Sequence, residues 1–207
     1  MTWIILLAAY LIGSIPTALL IGKYFFNVDI RDHGSKNPGA TNTLRVMGKK
    51  AAIIVLLVDV VKGMLAASLP LLLDVPLDPL YSGLIAVIGH CFPIFAGFRG
   101  GKAIATTAGA LLIVDFGMFL AVYLTFFAVM FMTKYVFMGS ISVGFAMLLY
   151  SFFSTEINEP LIFAAFIVFL IFLHRSNLQN FFNGTEPKIN DKKVKGDRLP
   201  PKDSFKS

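Results

Sequence analysis

The sequence predicts an all-α integral membrane protein with seven transmembrane helices, an outside N-terminus and a cytoplasmic C-terminus. Three observations carry that prediction. Of 207 residues, 57% are hydrophobic and only 14% are charged, against roughly 25% charged in a soluble domain, and mean hydropathy is +0.76. Seven apolar runs, near 2–22, 51–73, 80–98, 103–114, 116–133, 138–155 and 157–173, are parted by short polar breaks. Most approach the ~20 residues a helix needs to cross a bilayer. Finally, alternate loops differ in charge. Lys23, Arg31, Lys36, Arg45, Lys49, Lys50, Arg99, Lys102, Lys134 and Arg175 share one side with the C-terminal cations, while Asp74, Asp78, Asp115, Glu156 and Glu159 fall on the other. The positive-inside rule makes the basic side cytoplasmic.

The first run has no basic leader and is interrupted by Gly13, Ser14 and Pro16, which predicts an uncleaved, kinked spanning helix rather than a signal peptide. The second holds Asp59 and Lys62 at i,i+3. Ionisable residues at membrane depth suggest function, but this pair can neutralise itself, so its expected role is support, braced against the loops. The fourth run, 103–114, is short: about twelve helical residues rise ~18 Å against a core of roughly 30 Å. The preceding "RGGK" is therefore expected below the headgroups, lining a polar cavity. A membrane domain over 1–187 then gives way at 188–207 to a basic tail containing "LPP", expected to be disordered and to brush anionic lipid.

Several chemistries are excluded. The single Cys91 leaves no disulfide, and neither it nor His33 and His90 has a partner at metal-ligand spacing, so no metal or cofactor is expected. The net charge of +6 follows membrane topology and not a nucleic-acid stripe. "GFRGGKA" is one residue short of a nucleotide P-loop and has Ala103 where a magnesium-holding hydroxyl belongs. Pro38, Phe95 and Gln179 stand five residues after His33, His90 and His174, which removes a His-x4-Asp acid/base pair. The "NGT" sequon at 183–185 falls on the cytoplasmic side.

What remains is a shared chemistry among three cytoplasmic loops: "GSKNPGATNTLR" (34–45), "GFRGGK" (97–102) and "HRSNLQNFFNGTE" (174–186). Each joins glycines, hydroxyls or amides to a cation, the groups that grip phosphate. With "GHCFPIFAGFRGGK" and "NGTEPKI", these loops resemble the three cytoplasmic motifs of the bacterial acyl-phosphate:glycerol-3-phosphate acyltransferase family (PlsY). The resemblance runs from "GSIPTALLIGK" to "TEPKI". It implies transfer of a fatty acyl group from acyl phosphate to the sn-1 hydroxyl of glycerol 3-phosphate at the bacterial cytoplasmic membrane, giving lysophosphatidic acid and phosphate. It also implies a seven-helix fold with the motifs gathered on the cytoplasmic face. Two departures stand out: Lys36 and Ala103 occupy positions where the family often has glycine.

An isolated Arg45 or Lys102 would read as a positive-inside anchor; within matched motifs both are expected to hold phosphate and to stabilise the leaving charge. Ser35, Thr41 and Asn42, with the backbone of Gly39 and Ala40, suit a turn around Pro38 and are expected to aim donors at phosphate, as are the Gly100 and Gly101 amides. His174 and Asn177 would share a face if the last helix continues, with Glu186 and Ser140 carried over to the same substrate site. The proton acceptor is the phosphate of the substrate or, as rival, His174. The other function classes are a small phosphate or organophosphate transporter, which the acidic outer loops and missing internal repeat disfavour, and a scaffold, which leaves the polar loops unexplained.

Overall fold

The computed structural model describes residues 1–154, 159–191 and 198–202; Glu156 and most of the tail expected to be disordered lie outside these. The described chain is helical throughout and falls into two compact units, Met1–Val114 with Lys192–Ser207, and Asp115–Asp191.

In the first unit the expected kink is present. α1 (Thr2–Gly13) stops before Pro16, α2 (Thr17–Ile21) resumes after it, and a π-helical turn over Gly22–Phe26 completes the run. Proline removes one helical donor and clashes with the preceding turn, and here the break leaves the Ile15 carbonyl to accept from Lys62 Nζ at 3.1 Å. The cytoplasmic loop then leads through α3 (Ala40–Val46) into the long α4 (Lys49–Leu72). α5 (Pro79–Cys91) starts on Asp78, whose carboxylate caps the Leu80 amide at 2.8 Å.

α6 (Ile104–Val114) has only 11 residues, as its short apolar run predicts. It compensates by close packing on α4. A side chain at Gly63 would strike the Thr106 carbonyl, and one at Gly109 would strike the Val60 carbonyl. Reciprocal glycines of this kind let helix backbones meet where lipid supplies no hydrophobic drive to association. Beneath the loop, Ala18, Ile21, Phe26, Ile30, Val46 and Val55 belong to one buried cluster.

The second unit stacks α7 (Phe116–Thr133), α8 (Val136–Ser151) and α9 (Pro160–Leu173), followed by the short α10 (Arg175–Phe182). Met118, Val122, Phe126 and Met130 recur every four residues and form the buried face of α7. Asp115 caps the Met118 amide at 2.8 Å and accepts from the Tyr150 hydroxyl at 3.2 Å, tying the start of α7 to the end of α8. The opposite faces carry exposed apolar residues such as Met132 and Leu161, the inverse of a soluble surface.

By length and composition, four helical stretches among the described residues are apolar enough to cross a membrane: Thr2–Phe26, Lys49–Leu72, Pro79–Ala96 and Phe116–Thr133. A fifth is α9 with α10, if that bent pair is one span, and α6 and α8 are shorter apolar helices.

Candidate active site

The first motif is a loop folded around one asparagine. Asn42 is buried; its Oδ1 accepts the Ser35 amide at 2.9 Å, and its Nδ2 donates to the carbonyls of His33 at 3.0 Å and Ile30 at 3.4 Å. The Asn42 amide, expected to face phosphate, is thus spent on shaping the loop. That loop leaves Ser35 and Thr41 exposed. Gly39 precedes α3, whose first turn, opened by Ala40 and Thr41, has no side-chain cap. Arg45 sits in the last turn of α3, half-buried, and its Nε is buried without a hydrogen-bond partner.

The second motif turns sharply after α5. Gly97, Phe98 and Ala103 have φ of 61°, 60° and 74°, values in the left-handed region that cost an L-residue with a Cβ roughly 1–2 kcal/mol. Gly100 and Gly101 require a correction. Their amides donate to the Cys91 carbonyl at 3.0 Å and the His90 carbonyl at 3.1 Å, so neither N–H is free to grip an anion. Glycine is needed for another reason: a Cβ on Gly101 would strike the His90 ring, and one on Gly100 the His90 carbonyl. The two glycines thus clamp the turn that presents Lys102 onto the end of α5.

Arg31 joins the two loops. Its guanidinium pairs with Asp29 at 2.7 Å and donates through Nη1 to the Ala96 carbonyl at 2.8 Å. The bonded Arg31 side chain holds the Asp29 carboxyl below its usual range, and Asp29 in turn raises Arg31.

Under both loops lies a buried polar knot. Asp59 Oδ1 accepts from Lys62 Nζ at 2.8 Å and from Thr17 Oγ1 at 3.1 Å, with His90 Nδ1 at 3.7 Å. Asp59 and Lys62 therefore form the i,i+3 ion pair that the sequence allows, in contact with the kink in the first run and with α5. Pro38, Arg99, Gly100 and Gly101 close a narrow cleft over this knot. The sequence reading missed His90 and Arg31. A histidine inside an apolar run is the same signal that flagged Asp59, whereas nothing local points Arg31 at Ala96.

The third motif belongs to the second unit. The helix on which His174 and Asn177 would share a face is not continuous: α9 and α10 meet at His174 at 57°, where the His174 amide bonds to both the Leu170 and the Ile171 carbonyl. The buried His174 ring contacts the Leu170 carbonyl through Nδ1 at 2.9 Å. A carbonyl only accepts, so Nδ1 carries a proton in this contact. Asn177 donates to Glu186 Oε1 at 2.6 Å, while Glu186 Oε2 is buried with no partner. Ser140 is buried and its hydroxyl back-bonds to Val136 at 3.0 Å.

The family model for glycerol-3-phosphate acyltransferase matches residues 3–184, which span the first two motifs and the third as far as Gly184. The chain belongs to the glycerol-3-phosphate acyltransferase family. Its relatives in that family include the enzyme of Geobacillus kaustophilus (strain HTA426), 47% identical over 191 residues covering 91% of this chain and 96% of the relative. The Bacillus subtilis (strain 168) enzyme is 43% identical over 186 residues, covering 90% and 96%. Two crystal structures of PlsY, an integral membrane glycerol 3-phosphate acyltransferase, share the fold. The glycerol 3-phosphate form has TM-score 0.83 at 30% identity, covering 93% of this chain and 97% of that one. The lysophosphatidic acid form has TM-score 0.80 at 29% identity with the same coverage. With these neighbours, the apolar helices mark an integral membrane acyltransferase of a bacterial family.

Proposed function

We propose that this protein transfers a fatty acyl group from acyl phosphate to the sn-1 hydroxyl of glycerol 3-phosphate. The relatives named above are glycerol-3-phosphate acyltransferases, and one neighbouring structure is a glycerol 3-phosphate form. The observation that carries the reading is the Arg31 bridge to Ala96, which ties the loop leading to Arg45 to the loop leading to Lys102. Two cationic loops tied together suit a ligand with more than one phosphate charge.

In the reaction, the sn-1 oxygen attacks the acyl carbonyl carbon, the carbonyl–phosphate C–O bond breaks, and inorganic phosphate departs with the electron pair. The hydroxyl proton passes to the phosphate of glycerol 3-phosphate. Acyl phosphate is a mixed anhydride with a good leaving group, so the protein's main task is positioning, which can supply roughly 7–11 kcal/mol. Arg45 and Lys102 hold phosphate oxygens and stabilise the charge that leaves, and Ser35 and Thr41 add hydroxyl donors. Asn42, Gly100 and Gly101 act by shaping the loops. His174, Asn177, Glu186 and Ser140, in the second unit, are the further substrate-contacting residues of this reading.

All seven apolar stretches lie in the cytoplasmic membrane in this reading, with the motifs on the inner side. The acyl chain enters from the bilayer and glycerol 3-phosphate from the cytoplasm. Incubating the purified protein with synthetic acyl phosphate and glycerol 3-phosphate tests the reading. It predicts lysophosphatidic acid and phosphate in equal amounts, in detergent and without a second compartment. Absence of both products rejects it, and an acyl-enzyme trapped without glycerol 3-phosphate rejects direct transfer.

A further inference from the structure

Residues 198–202 lie beyond the 3–184 stretch that the family model matches, yet they are bonded into the first unit. The Leu199 amide donates to the Val46 carbonyl at 2.8 Å, and the Lys202 amide donates to the Phe25 carbonyl at 2.8 Å. Pro200 and Pro201 between them have no N–H to satisfy, so every backbone donor from Leu199 to Lys202 is used. A three-residue spacing of donors is the repeat of a polyproline helix, which brings them to one side. The Leu199 side chain packs against the buried cluster that contains Ile21, Phe26, Ile30, Val46 and Val55. Arg198 crosses Gly48, where φ is 89° and an added Cβ would strike its guanidinium.

These contacts fall at a sensitive place. α3 has seven residues, too few to hold itself as a helix in isolation, so its position depends on what fixes its ends. The carbonyl that receives Leu199 belongs to Val46, the neighbour of Arg45. The same segment reaches Phe25 in the first run, on the other side of the loop.

We propose that the segment Leu199–Lys202 is a strap that fixes the end of α3, and that Leu199 is a positioning residue for Arg45. This rests on reading Arg45 as a phosphate ligand. The strap acts through the guanidinium's aim and touches no substrate. Its loss therefore weakens the grip on glycerol 3-phosphate more than it slows chemistry.

The test uses the full chain with Leu199→Asp, Leu199→Met as the conservative control, and a chain ending at Asp197 should Leu199→Asp fail to fold. Hydrogen exchange, resolved to 198–202, reads docking without reference to activity; the Leu199 and Lys202 amides are expected to exchange at least tenfold more slowly than in a free peptide. Leu199→Asp, or the shortened chain, is expected to raise KM for glycerol 3-phosphate about tenfold with kcat within twofold, and Leu199→Met to match the natural chain. In an Arg45→Lys background, Leu199→Asp is expected to add little to KM. Unprotected amides, an unchanged KM for Leu199→Asp and the shortened chain, or effects that multiply in the double variant each overturn the strap. Natural kinetics for Arg45→Lys alone would sink the reading of Arg45 and the proposal with it, a result distinguished by protected amides.

Discussion

Lys62 Nζ lies 2.8 Å from Asp59 Oδ1, with only 4% and 3% of the two side chains exposed. Removing one member of such a pair leaves a buried charge without its counter-charge, which costs about 3–5 kcal/mol, whereas removing both costs far less. Asp59→Asn and Lys62→Met are each expected to lower the thermal unfolding midpoint in detergent sharply, and the double variant to recover most of the loss. Additive losses would mean that the two groups act separately.

Lys36 and Ala103 have φ of 59° and 74°, and both stand where the resembling motifs often carry glycine. Glycine adopts this conformation without the Cβ penalty but loses more freedom on folding, so the net gain is below the full ~1–2 kcal/mol. Lys36→Gly and Ala103→Gly should each stabilise the protein by about 0.5–1 kcal/mol, read as a raised unfolding midpoint. A lowered midpoint for Ala103→Gly would show that packing of its fully buried methyl outweighs the strain.

The Arg31 bridge makes a prediction about pH. The Asp29 carboxyl is held below its ordinary value of 3.8, chiefly by the Arg31 side-chain hydrogen bond. A depressed carboxyl stabilises the fold at pH above its unfolded value, and that contribution is lost as pH falls through the folded value. Asp29→Asn is expected to lower stability at pH 7, and the gap from the natural chain to close only below about pH 4. A constant gap down to pH 3 would place the effect elsewhere.

His174 Nδ1 donates to the Leu170 carbonyl at 2.9 Å. If the phosphate of the substrate accepts the proton, His174→Ala should raise KM for glycerol 3-phosphate while kcat changes less than tenfold between pH 6 and 8. A 10²–10⁴-fold fall in kcat at unchanged KM is the signature of a general base, and would give that role to His174.

The helices were legible because lipid demands long apolar runs, and the break at Pro16 because proline cannot donate. Asp59 with Lys62 was legible as an i,i+3 pair. His90 was not, because its approach to Asp59 comes from packing α5 on α4, a contact 31 residues apart in sequence. The motif glycines show the limit of composition: Gly100 and Gly101 look like anion-binding amides, but their N–H groups bond to the end of α5. Asn42 likewise has the chemistry of a ligand and the geometry of a loop staple. The 57° bend at His174 has no proline or glycine beside it to signal it in the sequence.

The central claim is that Arg45 and Lys102, from separate loops, serve one phosphate-binding site. Steady-state acyl transfer by Arg45→Ala and Lys102→Ala, each checked for intact folding by its elution in detergent, tests it most directly. Each variant is expected to lose at least a hundredfold in kcat/KM, about 2.7 kcal/mol of transition-state stabilisation. Transfer within a few-fold of the natural protein in either variant would contradict the claim.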